Sequence, residues 1–141
     1  MKNIFINTES KLKVKKRTVK NIILALANEF GIKDIFIEVN FVSSDTLLGI
    51  NKKYLHHNYR TDIITFDYSN ERNILDGEIL ISLEDAWKNS KSYKVSFDNE
   101  VMRLVIHGIL HLLGFDDITN YKRKKMKALE DKLINKLEKI K

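Results

Sequence analysis

Residues 99 to 113 read as one long apolar helix, with "VMRLVIHGILHLL" as its greater part, and a helix of that kind is stable only when the rest of the chain wraps around it. It nonetheless carries His107 and His111, and it is followed at once by "GFDD". Leucine would pack better than imidazole at both positions. The two histidines therefore call for a chemical reason.

The remaining elements follow from spacing. "NIFIN" (3 to 7) has the look of a short strand, and Val19, Ile22, Ile23, Leu26, Ala27 and Phe30 recur at helical intervals before Gly31, which can take the left-handed turn after a helix. "DIFIEVNFV" (34 to 42) alternates with period two and predicts a strand; "SSDTLLGINKKYLHH" (43 to 57) opens on capping residues and continues as a helix. Segments 61 to 68 and 77 to 83 are rich in β-formers on either side of a polar loop ending at Asp76-Gly77, which predicts an antiparallel pair. Beyond Leu83 everything reads helical, ending in a tail with Met126, Leu129, Leu133, Leu137 and Ile140 on one side. The expected fold is α+β: a small mixed sheet of about four strands, packed with helices, with the histidine helix late in the chain.

On a helix, residues four apart share a face, so His107 and His111 can aim one ring nitrogen each at a single ion. Gly114 stands where the apolar pattern stops, as a structural turn that lets the chain bend and bring Asp117 back toward the rings. H-x-x-x-H-x-x-G-x-x-D keeps the spacing of the long metzincin motif with aspartate in place of the third histidine. A lone histidine on an apolar helix is usually a hydrogen-bonded core residue. A second one at this interval, a glycine and a carboxylate together favour a metal site, with His107, His111 and Asp117 as ligands and a fourth position open, as in catalytic zinc. Asp116, the neighbour, competes with Asp117 for the third position; the spacing favours Asp117 and leaves Asp116 to orient a ligand from behind. Zinc, one ion per chain, is the expected cofactor, although two imidazoles and a carboxylate suit other divalent ions as well.

Other classes fall away on composition. The 141 residues include no cysteine, which excludes disulfide scaffolds, thiolate metal sites and cysteine nucleophiles. No apolar run is long enough to span a bilayer, and the first ten residues do not resemble a signal peptide, so no membrane and a cytoplasmic address are expected. A zincin peptidase carries a glutamate after the first histidine; here that residue is Gly108, and Glu78 or Glu84 are the only speculative stand-ins. Twenty-five Lys and Arg against nineteen Asp and Glu leave a formal +6, which suits a phosphodiester polyanion. The basic residues cluster at 11 to 20 and 122 to 127, and one of these segments is expected to touch a phosphate backbone.

With these residues in view, the chain resembles the YbeY family of bacterial rRNA maturation factors over nearly its whole length. "NKKYLHHNYRTDIITF" (51 to 66) is similar to the family's N-x-x-Y…T-D-V-L-S-F region, "GEILIS" (77 to 82) to its following strand, and "HGILHLLGFDD" to H-G-x-L-H-L-x-G-Y-D-H. The resemblance implies one endoribonuclease domain over 1–141: a zinc-dependent, single-strand-specific metallo-endoribonuclease. Its implied partners are single-stranded RNA, the 16S rRNA precursor and ribosomal particles, through maturation of the 16S 3′ end and ribosome quality control. Two departures stand out. The family's third histidine falls on Asp117, an exchange that keeps an ordinary zinc donor but makes the site less positive by one charge. The family's arginine after the N-x-x-Y tyrosine falls on Leu55, and Arg60 is the nearest candidate to take over its catalytic, phosphate-gripping role. His56 and His57 are expected to end a helix, and Tyr54, Tyr59 and Phe66 to be core aromatics rather than base-stacking ones. The main rival reading is a non-catalytic ribosome- or RNA-binding assembly factor whose metal is structural.

Overall fold

The computed structural model describes residues 1–69, 71 and 73–138. Four strands, β1 (Lys2–Thr8), β2 (Asp34–Val42), β3 (Ile63–Asp67) and β4 (Ile74–Ser82), form one sheet in the order β1-β2-β4-β3. β1, β2 and β4 run parallel and β3 pairs antiparallel with β4, so the sheet is mixed, as the α+β reading expects. The helices are α1 (Lys16–Glu29), α2 (Ser44–Tyr54), α3 (Leu83–Tyr93), α4 (Phe97–Leu112) and α5 (Asn120–Glu138).

Side chains alternate across the sheet, and this decides which helix covers which face. Ile35, Ile37, Val39 and Phe41 of β2, with Leu75, Ile79 and Ile81 of β4, join one core with α1 and with Val101, Val105, Ile106, Ile109 and Leu110 of α4. Val42, Ile64 and Leu80 join Leu47 of α2 in a second, smaller cluster. Each fully buried aliphatic side chain contributes about 1.5–3 kcal/mol. With ten buried positions, α4 is thus anchored far more firmly than two half-buried imidazoles could unsettle.

Serines start three of the helices. Ser43, Ser82 and Ser96 each accept the backbone N–H three residues on, from Thr46, Asp85 and Asn99, at 3.0–3.1 Å. Thr119 does the same for Lys122 at the head of α5. In the tail, Met126, Leu133 and Leu137 are buried and Leu129 half-buried; Ile140 lies outside the described residues.

Two expectations need correction. Asp76-Gly77 does not close a loop but lies within β4, which begins at Ile74 and pairs with β2 from Asp34 onward. Gly77 sits there because a Cβ would collide with the Phe66 carbonyl of β3 and with Leu112 of α4, so the residue taken as turn punctuation is a close-approach glycine. Tyr54 and Tyr59 are not core: both are more than half exposed, Tyr54 edge-on to Phe66 and Tyr59 stacked on His57 with ring centroids 5.0 Å apart. α2 ends at Tyr54, short of the expected His57, and the two histidines follow it, with His56 in the left-handed region at φ 56°.

Candidate metal centre

The last turn of α4 closes in a Schellman arrangement. Phe115 N–H donates to Leu110 O and Gly114 N–H to His111 O, both at 3.0 Å, and Gly114 adopts φ 102°, a conformation that disfavours any side chain. The chain thereby reverses, and Asp117 comes back beside the helix it has just left.

His107, His111 and Asp117 meet there. Each offers one donor atom, and the three atoms lie within 4.8 Å of one another. The two Nε2 atoms are 2.9 Å apart, with the rings edge to face at 4.5 Å between centroids. Asp117 oxygens stand 3.8 Å from His107 Nε2 and 3.9 Å from His111 Nε2. Donors about 2.0–2.2 Å from one tetrahedral ion are separated by about 3.4 Å. The observed separations bracket that value, so these residues fit a divalent cation. All three are partly accessible, which leaves a side of the cluster open toward solvent.

Glu130 of α5 completes the surroundings. Its Oε2 lies 2.5 Å from His107 Nδ1, while its Oε1 accepts from Arg103 Nη1 at 3.3 Å; Arg103 Nη2 donates in turn to Asp131 at 2.7 Å. Burial pulls the His107 imidazole toward neutrality, but the hydrogen bond and charge of Glu130 outweigh it and raise the His107 pKa. Burial also acts on His111, and there the neighbouring His107 adds to it, so the His111 pKa falls.

Asp116 is not behind a ligand. Its carboxylate accepts from the Ile118 N–H and from Lys122 Nζ, both at 3.1 Å, and these two bonds hold it below the usual carboxylate range. The carboxylate on the outer nitrogen of a histidine is Glu130's. One signal for it stands in the sequence: a charged residue inside the Met126, Leu133, Leu137 stripe, where an apolar one belongs.

Arg60 donates to Ser44 Oγ and Asp45 Oδ1, both at 2.9 Å, at the head of α2, a mostly exposed pair apart from the three-residue cluster. Of the two basic segments, 122–127 is the one beside the cluster. Arg123 and Lys127 line a cleft of about 520 Å³ together with Tyr93, Arg103, His107 and Asp117. Segment 11–20 instead borders a separate, mainly apolar cavity against α1 and Leu137.

Gly108 faces the sheet. A Cβ there would press on Ile79 at 3.0 Å and on Ile63 at 3.2 Å, so any side chain at that position crowds the sheet face and points into it. A glutamate here, as in a zincin peptidase, would start out against those isoleucines. The stand-ins do not reach: Glu78 bonds Asn40 and Tyr68 away from the cluster, and Glu84 lies in the first turn of α3.

The fold and the cluster define a class: small α+β domains in which a central helix and the bend after it gather two histidines and a carboxylate at an open corner. The chain belongs to the endoribonuclease YbeY family, whose sequence pattern matches residues 4–138. It is 38% identical over 121 residues to the endoribonuclease YbeY of Parabacteroides distasonis, covering 86% of this chain and 84% of that one. To the endoribonuclease YbeY of Chlorobium phaeovibrioides it is 34% identical over 128 residues, covering 91% and 85%. The solution structure of TM1509 from Thermotoga maritima superposes with a TM-score of 0.67 at 27% identity, over 96% of this chain and 89% of that one.

Proposed function

We propose that this protein is a zinc-dependent endoribonuclease that cuts single-stranded RNA and acts in maturation of the 16S rRNA 3′ end on ribosomal particles. The observation that carries the reading is the meeting of His107, His111 and Asp117 at one open point, in a chain of the endoribonuclease YbeY family. A divalent ion held there would supply positive charge beside the phosphate under attack. The chain's own residues supply the rest. Arg123 and Lys127 on α5 flank the cleft and attract the strand's backbone, and the bend at Gly114 fixes Asp117 relative to the rings. Arg60, paired with Asp45 at the head of α2, is retained as a second, more distant backbone contact.

His111→Ala tests the reading. The variant is expected to stay folded and to bind RNA with unchanged affinity, while cleavage falls by about 100-fold or more, as for loss of a group acting directly on the developing charge. Retained cleavage, or full support of rRNA processing by this variant, would leave the protein a binding factor with a structural metal.

A further inference from the structure

The three donors leave Glu130 and Arg103 without a task. Glu130 occupies the apolar stripe of α5 and is only 6% exposed, a place where a carboxylate is unfavourable unless both its oxygens are engaged. Both are. Oε2 meets His107 Nδ1 at 2.5 Å, and Oε1 meets Arg103 at 3.3 Å. The Arg103 fork spans Glu130 and Asp131 together, which fixes the Glu130 rotamer from the side opposite the ring.

An imidazole that donates from Nδ1 presents the lone pair of Nε2 when neutral, and Nε2 is the atom that faces His111 and Asp117. We infer that Glu130 is the positioning residue of the site: by accepting the hydrogen bond of the His107 Nδ1–H it selects that tautomer, aims Nε2 at the ion and strengthens it as a donor, with Arg103 holding Glu130 in place. The inference rests on His107, His111 and Asp117 holding a metal. It makes α5 part of the centre. A carboxylate behind a ligating imidazole typically changes metal affinity by about 10- to 100-fold.

The test uses zinc alone, titrated against a competing chelator, on the full chain. Glu130→Gln keeps the volume and an acceptor oxygen but removes the charge, and its zinc affinity is expected to fall by about 10-fold or more. Leu133→Ala, which loosens the packing of α5 without touching His107, is expected to lower the unfolding temperature and leave zinc affinity within about twofold. Equal affinity in Glu130→Gln and wild type overturns the inference, as does an equal loss in Leu133→Ala, which would make the role merely structural. Long-range proton–nitrogen NMR of the zinc-loaded wild-type protein needs no variant to fold. His107 protonated on Nδ1 and coordinated through Nε2 is expected, and the reverse assignment overturns the proposal. A wild-type chain that takes up no zinc overturns the site reading and this inference together, whereas wild-type uptake with an unaffected Glu130→Gln overturns this inference alone.

Discussion

Glu100 stands two turns before His107 on α4 and is almost wholly buried, with its Oε1 atom lacking a hydrogen-bond partner among the described residues. Burial raises its pKa, and Arg103 and Asn89 offset this only in part. The carboxyl therefore holds its proton more firmly in the folded chain than in the unfolded one. Stability from this group is present below the unfolded pKa and is lost as pH rises through the raised folded value. Leaving such an atom unsatisfied costs about 1–3 kcal/mol. Glu100→Gln leaves that unsatisfied position in place but removes the charge that burial disfavours, so it is expected to gain stability over wild type at pH 7 and less at pH 4. Urea denaturation of both proteins at the two pH values measures it, and a gain independent of pH would contradict the assignment.

At the scale of elements, two glycines set how closely α4 approaches the sheet. Gly108 lies over Ile79 and Ile63, and Gly77 lies under Leu112 and against the Phe66 carbonyl. Gly77→Ala puts a methyl group against backbone that cannot swing aside, so a loss of about 3 kcal/mol is expected in urea denaturation, at the upper end of overpacking effects. A loss below about 1 kcal/mol would mean that β3 and β4 can part without cost. Nothing in the local pattern announces this role: Asp-Gly is a strong turn signal, and only the register of β4 between β2 and β3 overrides it. Period-two alternation made β2 readable from Asp34 to Val42 because one of its faces is buried throughout. Helical periodicity located α1, α4 and α5 for the same reason. Tyr54 and Tyr59 misled because aromatic residues near a helix end look alike whether they face core or solvent.

At the scale of the molecule, the site joins parts distant in sequence. The three donors were readable because one helix and one bend carry them all within His107 to Asp117. Glu130 shows in the sequence only as a charge inside an apolar stripe, and its meeting with Arg103 and His107 depends on how α5 docks across α4, which that local pattern does not encode. The same docking brings Arg123 and Lys127 to the cleft and leaves the earlier basic segment elsewhere. Among the described residues no helix is long and apolar enough to cross a membrane.

Zinc content per chain, measured on purified wild-type protein and on Asp117→Ala with RNA cleavage assayed on the same samples, bears most directly on the whole account. One equivalent in the wild type, with metal and cleavage lost together in the variant, is the predicted result. Asp117→Ala that keeps its full equivalent of zinc, or that cuts RNA as well as wild type without it, would contradict the claim that this helix and its bend build the reactive centre.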